Sequence, residues 1–341
     1  MDMKIKFRTL AWLSALFVLF TVTSCGTIFD EQEDCPSQYL VRFKYDMNMK
    51  FADAFSNAVS YVAVHVYDAK TGKLVLKQTE GGEALSQEDY SMALIGIQPG
   101  TYDIIAWCGD GLRNGHFSVA EPMIGTSAKE ELSCMMKREN GGLVKEDVGQ
   151  LFHGMKRVTF GAEYGTYVET LNLTKNTNTV RIVLQHLSGV DVNPDDFAFE
   201  IKDENGFMAY NNEILEDEVL TYSPWSVTAG SADINADIYG RAQTSVSVAL
   251  AEFTVGRLMT HNNPVLSIYN VKKDNKKVLS IPLKDYALLV KGNYNRSMSD
   301  QEYLDRQDEY NLTFFLDEHG LWTTSVIIIN SWSVVLNDTE L

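Results

Sequence analysis

The sequence is poor in the residues that carry chemistry. It has four cysteines and six histidines. Neither type clusters: no CxxC, HxxxH or HExxH pattern occurs, so no zinc site is expected. A Walker loop, a dinucleotide glycine pattern and a GxSxG elbow are also missing, and no cofactor is expected. Positive charge is scarce, with 29 Lys and Arg against 46 Asp and Glu, for a net charge of −17. Such a surface repels phosphate backbones, which argues against nucleic acid as a partner. The apolar run near the start, Leu10–Val22, covers 13 positions. A helix needs about 20 to span a bilayer. What remains is the composition of a folded chain, 45% hydrophobic and 22% charged, and 341 residues suit about two domains.

The N-terminus reads as an address. Lys4, Lys6 and Arg8 precede the apolar run, the order of a secretory signal. The segment ends Val22-Thr23-Ser24-Cys25-Gly26. It resembles the lipobox of bacterial lipoproteins, in which small residues admit the peptidase and the Cys thiol accepts diacylglycerol. Residues 1–24 are therefore expected to be a signal peptide cleaved between Ser24 and Cys25. Residues 25–36 then form a lipidated tether, and two or more acyl chains (palmitate or similar) give stable anchoring. Within it, Asp30-Glu31-Gln32-Glu33-Asp34 is acidic. This run resembles the surface-export signal of Bacteroidetes lipoproteins and is equally consistent with a solvated linker. Removal of Met1–Ser24 takes away Lys4, Lys6, Arg8 and one acid, Asp2, so the mature chain is near −19.

With Cys25 lipidated, Cys35, Cys108 and Cys134 remain, and one must stay unpaired in the monomer. A non-cytosolic compartment permits a bridge. Cys108 and Cys134 each sit in a strand-like run and are the expected pair. Cys35 is then free or competes for the same partner.

Beyond the tether, period-2 alternation dominates. Tyr39, Val41, Phe43 and Tyr45 share one face of a run whose other face holds Gln38, Arg42 and Lys44. Val62, Val64 and Val66 repeat the pattern, as do Tyr102, Ile104 and Ala106, and Val180, Ile182 and Leu184. Further runs are Tyr310, Leu312 and Phe314, and Trp332, Val334 and Leu336. Alternation of this kind marks half-buried antiparallel strands. Turn chemistry separates them: Asp68 to Gly72 and Asp203-Glu204-Asn205-Gly206 suit hairpins, and Gln98-Pro99-Gly100 suits a turn with Gly at the left-handed corner. Short helices are expected over Met49–Ser56, Pro282–Val290 and Ser299–Arg306, the last with Ser299 or Asp300 as cap. From His319 to Asn337 no acid or base occurs, but its Ser, Asn and β-branched residues favour two strands over a membrane span. The fold class is all-β: two antiparallel β-sandwiches, 37–189 and 190–341, with the linker chemistry of Ser188-Gly189 and Asn193-Pro194 near the boundary.

Catalytic constellations are absent. His65 alternates with the valine face and is expected in solvent, and His186 should be a hydrogen-bonding strand end. Asp305, Asp308 and Glu309 read as a solvated face. Asp233, Asn235 and Asp237 alternate but lack the Gly and twelfth-position Glu of a calcium loop. Trp107, Trp225, Trp322 and Trp332 suit core packing more often than sugar stacking.

Several phrases combine into a family resemblance. They are Cys35-Pro36, Val41 to Met49, Ala52-Asp53-Ala54-Phe55, and Ile97-Gln98-Pro99-Gly100-Thr101-Tyr102. Leu151-Phe152-His153-Gly154, Lys175-Asn176-Thr177-Asn178 and Ile182 to Gly189 follow. Near the end stand Asp285 to Leu289, Tyr303 to Tyr310 and Ile329-Asn330-Ser331-Trp332. Together they resemble the FimB-like minor fimbrial subunits of Bacteroidales. The resemblance implies two transthyretin-like β-sandwich domains, no enzymatic activity, and a lipid-anchored place at the outer-membrane base of a fimbrium. It also implies fimbrillin partners joined by β-strand contact. No Arg or Lys lies between Cys25 and Tyr39, so the first strand is expected to survive maturation. A surface glycan-binding lipoprotein is the alternative. A hydrolase comes third, without a nucleophile-base motif.

Overall fold

The computed structural model describes residues 37–234 and 244–335. The Ser24–Cys25 site, the tether, Cys35, Asn235, Asp237 and Leu336 lie outside the described residues. The strands begin with β1 (Gln38–Lys44), β2 (Tyr61–Asp68), β3 (Leu74–Gly81), β4 (Ser91–Ala93) and β5 (Gly100–Cys108). Then come β6 (Phe117–Val119), β7 (Ser133–Met136), β8 (Leu143–Val144), β9 (Phe152–Phe160), β10 (Thr166–Asn172), β11 (Thr174–Lys175) and β12 (Thr177–His186). β13 (Phe197–Asp203), β14 (Phe207–Ala209), β15 (Leu220–Tyr222), β16 (Ser226–Ile234) and β17 (Thr244–Gly256) follow. The last are β18 (Val265–Asn270), β19 (Lys276–Pro282), β20 (Glu309–Leu316), β21 (Trp322–Ile329) and β22 (Trp332–Val335).

Two sandwiches form, as the alternation predicts. In the first, the sheet β10-β1-β4 faces the sheet β11-β9-β5-β2-β3. Tyr39, Val41 and Phe43 from β1 meet Val62, Val64 and Ile104 in one apolar core. In the second, β16-β17-β12-β20-β21-β22 packs on β19-β18-β13-β15-β8. Ile182, Phe253 and Phe314 there meet Ile201, Leu266 and Ile281. Most pairs are antiparallel, but β1·β10, β12·β20 and β15·β8 are parallel.

A fifth sheet, β14-β7-β6, covers the second face of the β2–β5–β9 sheet. Strands β2 and β5 are thus buried on both sides, and Trp107 is fully buried. This overturns the expected exposure of His65, which is buried because its face is the covered one. It also separates the two cysteines. Cys108 points into the first core and Cys134 into the second, and both are free thiols, so the expected bridge is absent. The expected division at 189/190 moves as well. β12 is not the last strand of the first sandwich but a central strand of the second, with eight parallel register pairs to β20. Such long-range pairing leaves no trace in local periodicity.

Local chemistry explains several ends. The Asp68 carboxylate accepts from Thr71 N at 2.6 Å and Gly72 is left-handed, closing the β2–β3 hairpin. Ahead of β5 the left-handed corner is Gly96, not Gly100. The Asp203–Gly206 turn joins two different sheets rather than a hairpin. Ser299 caps the helix Asp300–Arg306 by accepting from Glu302 N at 3.0 Å. The helix Leu283–Leu289 also forms as read. In place of a helix over 49–56 there is a short turn of helix, Phe55–Ala58, held by the Asp53 carboxylate.

Burial holds the His65 and His153 rings neutral and depresses both to about 4, with the Lys77 charge adding to the shift at His65. Burial raises Asp203 in the opposite sense, to about 6. The unfolded chain takes up histidine protons below about pH 6.5, before the native chain does. Stability from the neutral rings is therefore complete above about pH 6.5 and drains away toward pH 4, by on the order of 2–3 kcal/mol per ring, while Asp203 partly offsets the loss. Denaturant titrations from about pH 7 to about pH 4 should show this fall, with a shallower slope in His65→Leu. An unchanged slope would remove His65 from the account.

Candidate docking edge and the N-terminal strand

Among the described residues two places stand out for contact with other molecules. The first is where the chain enters. Strand β1 lies between β10 and β4, so its backbone is paired on both sides. Its inner side chains lock it in place. Tyr39 packs on Phe160 and Tyr167 with ring centroids at 4.7 and 5.5 Å, Phe43 stacks on Phe55 at 5.4 Å, and Tyr45 meets Phe152 edge-on at 4.8 Å. Arg42 and Lys44 are on the outer face and pair with Asp89 and Asp46. Arg42 sits where β1 is paired on both sides, and Lys44 is paired with β10.

At its far end β1 reaches the second sandwich. The Tyr45 hydroxyl donates to Asp308 at 2.6 Å, and burial beside that carboxylate raises the phenol strongly. Arg306 donates to the carbonyls of Asp46 and Asn48 at 2.9 and 3.3 Å. Nearby, His153 Nε2 lies 2.8 Å from the Tyr210 carbonyl oxygen, Asn212 donates to Asn176 at 3.1 Å, and Asn178 donates to the Gln307 carbonyl at 2.8 Å. Asp305, read as solvated, instead forms a part-buried bidentate pair with Arg257, both bonds at 2.7 Å. His186 ends its strand as read, but its Nδ1 is buried without a partner.

The second place is β22, one of the two edge strands of the six-stranded sheet. Asn330 and Ser331 both adopt positive φ and turn β21 into β22, with Ile329 opposite Trp332. In this register the backbone groups of Ser333 face away from β21, toward the open edge. Beside the edge runs a groove of about 640 Å³, lined by Met49, Leu289, Val290, Tyr294, Trp332 and Val334 among others. Tyr294 and Trp332 are 94% and 61% exposed. A polar groove of about 480 Å³ lies elsewhere, on the outer face of β13, β18 and β19. No group of three potential metal ligands occurs among the described residues. Trp107 is core, as read, whereas Trp332, read with the others as suiting core packing more often, is exposed at an edge.

A family model of fimbrillin-A associated anchor proteins, Mfa1 and Mfa2, matches residues 32–338. No functionally curated protein matches the chain. Among solved structures, a candidate adhesin from Bacteroides thetaiotaomicron is 31% identical with a TM-score of 0.77, over 88% of this chain and 97% of that one. A candidate polysaccharide-binding protein from the same organism is 30% identical with a TM-score of 0.76, over 89% and 100%. The fimbrial anchor protein Mfa2 from Porphyromonas gingivalis shares the fold at 16% identity, with a TM-score of 0.65 over 89% and 100%. The match over nearly the whole described chain shows that it belongs to the family of fimbrillin-A associated anchor proteins, a fimbrial cell-surface family rather than a class of enzymes.

Proposed function

We propose that the chain is a lipid-anchored minor fimbrial subunit, attaching a fimbrium to the outer membrane by β-strand contact with a neighbouring fimbrillin. The observation that carries this reading is the sealed first strand. An anchor must transmit its attachment to its body, and β1 is built into the core rather than removable from it. The described chain begins at Ser37, beside Gly165 at the end of the first sandwich away from the second. Cys25 stands 12 positions earlier, a reach of at most ~40 Å. The β22 edge and the apolar groove beside it supply the features that accept an added strand: backbone groups for the ladder and pockets for alternate side chains.

A second reading, a surface glycan-binding lipoprotein, draws on the polar groove. Glu200, Lys202, His261, Asn262, Tyr269 and Lys277 line it with hydrogen-bonding groups. A neighbour of similar fold is described as a candidate polysaccharide-binding protein. Affinity electrophoresis against host and dietary polysaccharides separates the two readings: retardation abolished by Tyr269→Ala would favour glycan binding.

For the anchor, Cys25→Ala should abolish acyl labelling and release the protein from the membrane; persistent labelling would refute the lipid. Ser333→Pro removes one outward N–H from the edge without touching the bonds to β21. It should lower cross-linked recovery of fimbrillin from intact cells on the order of tenfold, with the melting temperature unchanged. Full recovery in both Ser333→Pro and Trp332→Ala would move the contact away from this edge.

A further inference from the structure

A fibre held to a membrane pulls on its anchor, and the strand order shows where that pull would run. β1 and β10 are parallel over seven register pairs, from Gln38 with Thr166 to Lys44 with Asn172. The start of β1, beside Ser37, is the end nearest Cys25 along the chain. β10 leaves from the other end: its last residue is followed by only four, 173–176, before β12, a central strand of the second sandwich. Tension between Ser37 and the second sandwich therefore draws β1 and β10 along their axes in opposite directions.

We infer that the β1–β10 pair is a shear clamp that bears the load of the fibre. The direction of load rests on the anchoring reading above; the clamp itself rests on strand order. Bonds loaded along the strands share the force and must fail together, whereas bonds loaded across the strands fail one at a time. Sliding is blocked as well. A slip of one residue would drive Arg42 and Lys44 toward the core and expose Tyr39, Val41 and Phe43. The link to β12 holds no slack. Leu173 and Asn176 are buried, Leu173 N donates to the Lys44 carbonyl at 2.8 Å, and Asn176 N donates to the Leu151 carbonyl at 2.7 Å. Lys175 pairs with Asp308 at 3.5 Å, the carboxylate that also receives Tyr45.

Single-molecule pulling on the unlipidated mature chain, with Cys35 replaced by Ser, tests this. Shear loading uses an N-terminal tag and Tyr294→Cys. Peeling uses the same tag and Tyr164→Cys, beside the start of β10. Both cysteines replace exposed residues, and Cys108 and Cys134 are buried. The rupture force in shear should exceed that in peeling about twofold or more at equal loading rate. Oxidising an Arg42→Cys, Thr170→Cys pair, which are register partners on the outer face, should abolish release of β1 in both geometries. Equal forces, indifference to the cross-link, or opening of the second sandwich before β1 leaves would each overturn the clamp. None of these results bears on Cys25 acylation, so the clamp can fail while the lipid anchor stands.

Discussion

The rest of the structure depends on the burial of both faces of the β2–β5–β9 sheet. One face carries the core shared with β1, and the other lies under β6 and β7. The covering layer is not free to leave, because β7 pairs with β14 and β8 pairs with β15, strands from the second half of the chain. Each half of the sequence thus supplies a sheet partner to the other. The apolar cluster beneath Trp107 runs on into the core of the second sandwich without a break. Two units joined only by a linker would swing; these share an interior. The seal has a cost: Trp107 Nε1, His65 Nδ1 and the Tyr67 hydroxyl are buried without hydrogen-bond partners. Each costs on the order of 1–3 kcal/mol, which the burial of several large side chains on the same face offsets.

That shared interior also explains where two of the perturbed ionisable groups lie. Tyr45 and His153 have strongly shifted proton affinities, yet both sit at the meeting of the two sandwiches and neither lines either described groove. Perturbed groups often mark active sites, but ion-pair and hydrogen-bond networks that hold a structure produce the same shifts. Here the partners are backbone carbonyls and carboxylates of the opposite sandwich. The chemistry at this junction is attachment. It agrees with membership of a family of fimbrillin-A associated anchor proteins.

Several of the phrases that carried the family resemblance gather at this same junction. Asp53 holds the turn after β1, and His153 reaches the Tyr210 carbonyl. At Gly154 an added Cβ would lie 2.8 Å from the Asn172 carbonyl oxygen, so the strand crossing there requires glycine. Asn176 and Asn178 bind Asn212 and Gln307, while Arg306 and Asp308 hold the end of β1. Asn330 supplies the left-handed corner of the final hairpin. These residues were visible as a pattern, but their common purpose was not, because they lie far apart along the chain and meet only when it folds.

By itself the sequence determined the strands, their inner and outer faces, the Asp68 hairpin and the Ser299 cap. Each depends on side chains within a few positions of one another, and the period of two is a local property of the extended backbone. The tertiary structure alone decided which outer faces would be covered. It buried His65, parted Cys108 from Cys134, and placed β12 in the second sandwich. It also left Trp332 on an open edge. Each of these outcomes turns on pairing between strands distant along the chain, and two strands with the same alternation look alike in sequence whether one face or both will be sealed.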